Sequence, residues 1–274
     1  MADFCWNFPE FKHAVVREVS DDVNNAVRDS TSTETVDLEK CRAEWELYVQ
    51  ALRDLGLDVT VIPQDPKLPD CQFVEDPCIV IGDTALITRP ACGPRQGETT
   101  VLEETMRNLG LKVRVVESDA ATLEGGDVIF TGKEIFCGDS VLSNEEGFKI
   151  LEETFGDDYP CHSIFVEYPE FHLKGYAALA APGIMAICDN EWGHPAWKDI
   201  CDTSNYPYKV MWIPDDFGNN CLYINDTIMH APENQKPDTF AVFQKDMADY
   251  NLIPMSSEEV SKVDAALTCQ SLLF

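Results

Sequence analysis

Residues 78–90, CIVIGDTALITRP, consist of two short apolar runs separated by Gly82 and Asp83. Apolar runs of this length around a Gly-Asp pair predict an antiparallel β-hairpin. Residues 98–109, ETTVLEETMRNL, follow with apolar side chains at helical spacing, and LGLKVRVVE (109–117) returns to a strand-like run. The stretch therefore predicts a unit with the order strand, strand, helix, strand.

The same order recurs along the chain. The tripeptide Leu-Gly-Leu occurs at 55–57 and at 109–111, each time between a helical pattern and a strand-like run. Further hairpin patterns lie at 127–138, 176–188 and 221–232, and further helical patterns at 37–55, 145–155, 195–203 and 238–250. A period of about fifty residues is typical of repeat folds. We therefore predict an α/β fold in which residues 1–274 form one domain, a pseudosymmetric ring of five ββαβ modules.

The first unit lacks a clear hairpin. Residues 13–19, HAVVREV, provide one strand, and the polar stretch 20–36 stands where a hairpin would close. The apolar run after Cys269, at the end of the chain, is expected to supply the missing strand. This pairing would close the ring.

Composition narrows the class of partner. The formal net charge of −29 argues against nucleic acid and anionic membranes, and it suits either a cationic small molecule or simply a solvated surface. The sequence shows no pattern of a signal peptide and no apolar run long enough to span a bilayer. The 11 cysteines have no CxxC spacing, which indicates reduced thiols and a cytoplasmic location.

Conspicuous polar residues precede the hairpins at equivalent positions. They are Glu75-Asp76, Glu124, His172 and Asn219-Asn220, and Cys269 precedes the last apolar run. In a ring of repeats the same edge of every unit faces one axis, so these side chains are expected to converge. A thiol, an imidazole and carboxylates around one cavity form a plausible nucleophilic site, although each residue alone is more often structural. Adjacent carboxylates among apolar residues also call for a cation.

The chain resembles dimethylarginine dimethylaminohydrolase, a member of the guanidino-group-modifying pentein superfamily. The similar motifs, in order, are LPDCQFVEDP (68–77), TLEGGDVIFTGKEIF (122–136), HLKGYAALAAP (172–182), IPDDFGNNCLYIN (213–225) and KVDAALTC (262–269). The resemblance covers nearly the whole chain and implies a five-bladed α/β propeller. It also implies hydrolysis of asymmetric dimethylarginine or monomethylarginine to citrulline and dimethylamine or methylamine, without a cofactor, by a monomer or homodimer.

The resemblance implies a role for individual residues. Cys269 matches the nucleophile, His172 the general acid and base, and Glu124 the carboxylate that orients the histidine. The residues that match substrate-binding positions are Asp70, Glu75, Asp76, Arg95 and Val263. The three acids are expected to hold the guanidinium, so the cation that meets them would be the substrate. Attack by Cys269 would give a covalent thiouronium intermediate. Zn²⁺ is expected only as an inhibitor that binds to Cys269 and His172.

Two positions bear on the choice of substrate. Lys174 stands where arginine deiminases have an aspartate, which favours a methylated nitrogen; taken alone, it would be an ordinary exposed lysine. Leu142 stands where the family has an arginine that pairs with the substrate α-carboxylate, and leucine cannot form that pair. Three hypotheses remain open: a weakened dimethylargininase in which Arg95 holds the carboxylate, a hydrolase of another guanidine or amidine without a carboxylate, and an inactive binding or regulatory protein. Residues 20–36 match the substrate lid of the family.

Overall fold

The computed structural model describes residues 6, 8–28, 33–167 and 171–274 of the chain. The strands in this part are β1 (His13–Arg17), β2 (Asp58–Ile62), β3 (Cys78–Ile81), β4 (Thr84–Ile87), β5 (Lys112–Val115), β6 (Val128–Phe130), β7 (Ile135–Asp139), β8 (Cys161–Phe165), β9 (Ala177–Ala181), β10 (Ile184–Cys188), β11 (Lys209–Ile213), β12 (Leu222–Ile224), β13 (Thr227–His230), β14 (Asn251–Pro254) and β15 (Leu272–Leu273). The helices are α1 (Leu38–Asp54), α2 (Thr99–Asn108), α3 (Glu145–Phe155), α4 (Gly193–Thr203), α5 (Pro237–Asp246) and α6 (Glu258–Ser261).

The strands form five three-stranded sheets of one pattern. In the sheet that contains the opening stretch, β3 pairs antiparallel with β4, and β4 pairs parallel with β5. The parallel pairing requires a crossover, which α2 supplies. The sheets β6-β7-β8, β9-β10-β11 and β12-β13-β14 repeat this order. The predicted hairpins and the ββαβ modules of an α/β propeller are confirmed.

The two Leu-Gly-Leu tripeptides mark the same helix end in successive modules. Gly56, after α1, has φ +87° and Gly110, after α2, has φ +86°. The N–H of Gly56 donates to the carbonyl oxygen of Arg53 at 2.9 Å, and the N–H of Gly110 donates to that of Arg107 at 3.0 Å. Glycine adopts this left-handed conformation without the steric cost of a Cβ, which explains why the repeat is most visible here.

The C-terminus completes the first sheet. Strand β15 pairs antiparallel with β1, with Leu273 opposite Ala14 and Leu272 opposite Val15, and β1 pairs parallel with β2. The predicted closure by the run after Cys269 is therefore confirmed. The pairing also places Cys269 directly before an innermost strand, the position that the other polar residues occupy in their modules.

The helices agree with the predicted segments except in the last module. Helix α5 ends at Asp246, before the predicted end at residue 250, because residues 247–250 form a turn in which the N–H of Tyr250 donates to the carbonyl oxygen of Met247 at 3.0 Å. The short helix α6 was not predicted. Within the described residues, no helix combines the length and the apolar character that crossing a bilayer requires.

The core lies between helices and sheets and continues from module to module. Leu86 on β4, Ile135 on β7 and Leu151 on α3 are fully buried in one cluster that joins two modules. Burial of each such side chain stabilises the fold by about 1.5–3 kcal/mol. The modules therefore depend on each other for their apolar contacts, and these contacts position the polar end of the ring.

Candidate active site

The predicted polar residues come together at one end of the ring. Nε2 of His172, before β9, lies 2.9 Å from Oε2 of Glu124, before β6. The N–H of Glu75, before β3, donates to the carbonyl oxygen of Cys269 at 3.3 Å, and Oγ1 of Thr268 donates to Oε2 of Glu75 at 2.9 Å. Groups from four modules therefore meet, as the repeat predicts.

His172 is held between two carboxylates. Besides Glu124, its Nε2 lies 3.8 Å from Oδ1 of Asp76. Burial by itself would lower the pKa of His172, but Asp76 and Glu124 raise it to about 10. The other carboxylate oxygen of Glu124 accepts the N–H of Ala91 at 3.0 Å, which fixes its orientation. The imidazole is therefore protonated at neutral pH, the form that can donate a proton.

The double glycine of LEGGD permits this close packing. A Cβ on Gly126 would lie 2.7 Å from the ring of His172, and a Cβ on Gly125 would lie 2.0 Å from the carbonyl oxygen of Glu75. Both distances are well below the optimum for non-bonded carbon contacts. The glycines therefore allow the backbone to pack closely against the carbonyl group of Glu75 and the ring of His172.

Asp76 is paired with Arg95. Nη1 of Arg95 donates to Oδ2 of Asp76 at 2.6 Å, and Nη2 donates to the carbonyl oxygen of Phe73 at 3.2 Å. Glu98, which sequence reasoning missed, accepts from Nε at 3.3 Å and from Nη2 at 3.1 Å. Burial raises the pKa of Glu98 to about 7 in spite of Arg95. Among the described residues, these four bonds leave one of the five N–H groups of the guanidinium without a hydrogen-bond acceptor.

Glu75 also has a cation within the protein. Nζ of Lys174 donates to Oε1 of Glu75 at 2.5 Å and to the carbonyl oxygen of Gly125 at 3.0 Å. Lys174 is half-buried, so the alternative of an ordinary exposed lysine is wrong. The adjacent carboxylates of Glu75 and Asp76 thus meet Lys174 and Arg95. Side chains of the protein therefore already pair with both acids, and a cationic ligand would be an additional partner.

Cys269 is half-buried beside the acids. Its Sγ accepts the N–H of Ala266 at 3.4 Å, and it packs against an apolar cluster that contains Val263. Burial raises the pKa of the thiol well above its ordinary value, and the carboxylates of Glu75 and Asp76 raise it further. Without substrate, Cys269 is therefore a neutral thiol.

Asn219 and Asn220 support the site from the last module. The side chain of Asn220 accepts the N–H of Thr268 at 3.1 Å and donates to its Oγ1 at 3.2 Å. The amide of Asn219 donates to the carbonyl oxygen of Lys174 at 3.0 Å. Both asparagines are buried, and they hold the backbone of residues that contact Glu75.

Asp70 contacts the predicted lid. The N–H of Val27 lies 3.1 Å from both carboxylate oxygens of Asp70. Burial raises the pKa of Asp70. The described part of the predicted lid is therefore tied to an acid of the site, while residues 29–32 of the lid lie outside the described residues.

Leu142 lies in a turn that Asp127 holds. Oγ of Ser140 donates to Oδ2 of Asp127 at 2.7 Å and accepts the N–H of Leu142 at 3.0 Å. Oδ1 of Asp127 accepts the N–H of Leu173 at 2.8 Å, next to His172. Asp127 is fully buried, and burial raises its pKa to about 6. Asp127 belongs to the LEGGD sequence, but its bonds to two other segments arise only in the fold.

One group in the described part of the chain has the spacing of a metal site. Ligand atoms of Asp76, Glu124 and His172 lie within 4.8 Å of one another. Nη1 of Arg95 lies 2.6 Å from Oδ2 of Asp76 and 4.0 Å from Oε2 of Glu124. The guanidinium of Arg95 is therefore already paired with these carboxylates. Binding of Zn²⁺ by Cys269 and His172 stays a prediction.

Comparison with known proteins places the chain among similar sequences and structures. A family model described as N,N dimethylarginine dimethylhydrolase, eukaryotic, matches residues 12–168. The chain is 34% identical over 266 residues to N(G),N(G)-dimethylarginine dimethylaminohydrolase of Streptomyces coelicolor, covering 95% of this chain and 96% of the relative. It is 29% identical over 269 residues to the human protein named Putative hydrolase DDAH2, covering 95% and 93%.

A solved structure agrees with the sequence matches. Dimethylarginine dimethylaminohydrolase from Pseudomonas aeruginosa, a cysteine-to-serine mutant complexed with citrulline, is similar with a TM-score of 0.86 and 25% identity, over 97% of this chain and 100% of that chain. The N-terminal domain of ArgZ, an arginine dihydrolase, shares the fold with a TM-score of 0.82 at 16% identity.

Five ββαβ modules with a cysteine, a histidine and several acids at one end define an enzyme of the guanidino-group-modifying pentein class. Within this class, the chain belongs to the dimethylarginine dimethylaminohydrolase family, and it is a hydrolase of the dimethylargininase type.

Proposed function

We propose that this enzyme hydrolyses asymmetric dimethylarginine and monomethylarginine to citrulline and dimethylamine or methylamine, with Cys269 as the nucleophile. The observation that carries the proposal is the charged His172, held by Glu124 and Asp76 at the end of the ring where Cys269 lies. Citrulline is the ligand in the structure of the Pseudomonas aeruginosa enzyme. A further solved structure is a dimethylarginine dimethylaminohydrolase variant that forms an adduct with S-methyl-L-thiocitrulline.

Substrate binding activates the thiol in this proposal. The guanidinium lies flat against Asp70, Glu75 and Asp76, and its charge offsets the carboxylates that raise the pKa of Cys269. The thiolate becomes more favourable when the guanidinium carbon is within reach. Because a resting thiol is unreactive, the nucleophile forms only beside its target.

The reaction then proceeds in two displacements. The Cys269 thiol first loses its proton to solvent, and its sulfur then bonds to the guanidinium carbon. His172 gives its proton to the methylated nitrogen, and the C–N bond breaks to release the amine. The remaining thiouronium is attacked by water, which loses a proton to His172. The S–C bond breaks, the hydroxyl proton of the adduct passes to the departing sulfur, and citrulline and the Cys269 thiol are formed.

The carboxylate end of the substrate has a weaker site than the family pattern provides. Leu142 offers no charge, and Arg95 is already bound to Asp76 and Glu98. Arg95 has one N–H left for a substrate carboxylate. Loss of one charge-assisted contact lowers affinity by about 1.5–3 kcal/mol, so we expect a high KM.

The same observations favour a second candidate. A guanidine or amidine without a carboxylate needs neither an arginine at position 142 nor a free Arg95. The acids and Cys269 would act on it in the same way. The third hypothesis, an inactive binding or regulatory protein, disagrees with the membership of the chain in a family of hydrolases.

One assay separates the three. Purified protein is incubated with asymmetric dimethylarginine, monomethylarginine, arginine and agmatine, and citrulline and the released amines are quantified. Citrulline from the methylated arginines supports the first proposal, and turnover of agmatine alone supports the second. A folded protein that turns over none of them contradicts both.

Two further properties belong to this proposal. Zn²⁺ inhibits by binding Cys269 and His172, and a chelator restores activity. The enzyme acts in the cytoplasm as a monomer or homodimer. Its partner is a cationic small molecule, because the net charge of −29 disfavours nucleic acid and anionic membranes. No cofactor takes part.

A further inference from the structure

Arg28, in the predicted lid, is a cation without a carboxylate partner among the described residues. Its side chain is half-buried, and its guanidinium donates only to backbone carbonyl oxygens. Nη1 donates to the carbonyl oxygen of Glu34 at 2.6 Å and to that of Lys262 at 3.4 Å, and Nη2 donates to that of Asn24. Carbonyl dipoles satisfy N–H groups but do not neutralise a full charge. The positive charge of Arg28 is therefore available to an anion.

The guanidinium of Arg28 also has donors to spare. Three of its five N–H groups are bound, so Nε–H and one N–H of Nη2 have no acceptor among the residues that the structure describes. A carboxylate is the anion that arginine binds best, because its two oxygens match the spacing of the guanidinium donors. Arg28 can thus accept a carboxylate without losing its contacts with the lid backbone.

Arg28 lies beside two parts of the substrate-binding region. The residue before it, Val27, donates its N–H to both carboxylate oxygens of Asp70 at 3.1 Å. The carbonyl of Lys262, which Arg28 contacts, directly precedes Val263, which matches a substrate-binding position. In an extended dimethylarginine the carboxylate is about 7 Å from the guanidinium carbon. A substrate whose guanidinium binds Asp70 therefore has its carboxylate within the span of the Arg28 side chain.

The other candidates for this carboxylate are weaker. Leu142 has no charge, and Arg95 is already paired with Asp76 and Glu98. We propose that Arg28 binds the substrate α-carboxylate and partly takes over the role that Leu142 cannot fill. Its remaining N–H groups hold the carboxylate, and the acids hold the guanidinium.

The contact makes Arg28 a specificity-determining residue. It favours guanidines that carry an amino-acid carboxylate over those that do not, and for this choice of substrate the inference rests on the proposed function. Three N–H groups of Arg28 stay bound to backbone carbonyls, so the contact is weaker than one from an uncommitted arginine. A second arginine at position 142 would therefore still add affinity.

Binding is measured by calorimetry in a Cys269→Ala background, in which bound ligand is not turned over. The ligands are asymmetric dimethylarginine and dimethylagmatine, which is the same guanidine without the carboxylate. Arg28→Gln should raise the Kd for dimethylarginine about ten- to a hundred-fold, the effect of one lost charge-assisted contact. The Kd for dimethylagmatine should change by less than about twofold. Arg28→Lys, which keeps the charge but not the paired donors, should give an intermediate Kd for dimethylarginine.

Two further variants separate the carboxylate contact from support of the lid. Arg42→Gln removes another guanidinium, one that pairs with the exposed Asp21 near the start of the predicted lid, and should leave both Kd values unchanged. Leu142→Arg added to Arg28→Gln returns the charge to the position where the family has it. This double variant should recover affinity for dimethylarginine but not for dimethylagmatine.

An equal rise of both Kd values in Arg28→Gln overturns the proposal, because Arg28 then only supports the lid. An unchanged Kd for dimethylarginine overturns it as well. Citrulline release by the wild type is measured in parallel and tests the proposed function. Release of citrulline together with either of those results contradicts this inference alone. A selective loss of dimethylarginine binding in Arg28→Gln, without citrulline release by the wild type, supports the carboxylate contact and contradicts the proposed function. Binding of neither ligand to the parent contradicts both.

Discussion

Nη1 of Arg95 lies 2.6 Å from Oδ2 of Asp76, and both side chains are buried. Burial by itself would raise the pKa of Asp76. The positive charges of Arg95 and His172 lower it by more, so the pKa of Asp76 is below its ordinary value. Asp76 is therefore ionised between two cations, Arg95 on one oxygen and His172 near the other. Whatever holds Arg95 in place thus also acts on His172.

Glu98 accepts two hydrogen bonds from Arg95, so Glu98→Gln should impair the enzyme. The change removes one charge-assisted bond to a buried guanidinium, worth about 1.5–3 kcal/mol or roughly ten- to a hundred-fold in kcat/KM. The matched control is Glu103→Gln, which breaks an exposed pair with Arg107 on the same helix and should leave kcat/KM within about twofold. Equal effects of the two changes would show that Glu98 has no role in the site.

Replacement of the proposed nucleophile should abolish turnover without unfolding the protein. We expect Cys269→Ser to lower kcat by about a thousandfold or more, because a serine hydroxyl is far less acidic than a thiol and the charge of the substrate is not enough to ionise it. Acid-quenched wild type should carry a covalent adduct on Cys269 by mass spectrometry. Cys201→Ser, at an exposed position, serves as the control and should remain active. An adduct on another cysteine would refute the assignment.

Binding of the substrate α-carboxylate can be tested by placing a positive charge at position 142. Leu142→Arg should lower KM for dimethylarginine by roughly tenfold, since it adds one charge-assisted contact. KM for agmatine, which has no carboxylate, should not fall. Val141→Arg adds the same charge at the exposed neighbouring position and should change neither value. If both arginine variants act alike, a general effect of charge is responsible.

The pH dependence of stability should report the charge on His172. Its folded pKa of about 10 is above its ordinary value of 6.5, so the stabilising contribution is complete below about pH 6.5 and is lost as pH rises through 10. The free energy of unfolding in urea should therefore fall between pH 7 and pH 10 more steeply in the wild type than in His172→Gln. His194→Gln, at an exposed histidine, should retain the steep fall. Parallel curves for wild type and His172→Gln would mean that His172 is not stabilised in its charged form.

Much of the fold can be predicted from the sequence because its signals are local. The turn at Gly82 in residues 78–90, the helical spacing in 98–109 and the left-handed glycines 56 and 110 each act within a few residues. The recurrence of these signals predicts the five modules and the edge at which the polar residues meet. The end of α5 was predicted less well, because a turn within residues 247–250 takes the place of further helix.

The partners of the buried charges could not be predicted in this way. Lys174 and Glu75 are 99 positions apart, and the sequence indicated only that Glu75 and Asp76 need a cation. The cation that meets each acid depends on which side chain the packed modules bring within about 3 Å, and no local propensity encodes that distance. The sequence alone thus determined the modules and the set of candidate site residues. The tertiary structure decided that Lys174 and Arg95 neutralise the acids and that Glu98 secures Arg95, because these ion pairs form only when distant segments pack together.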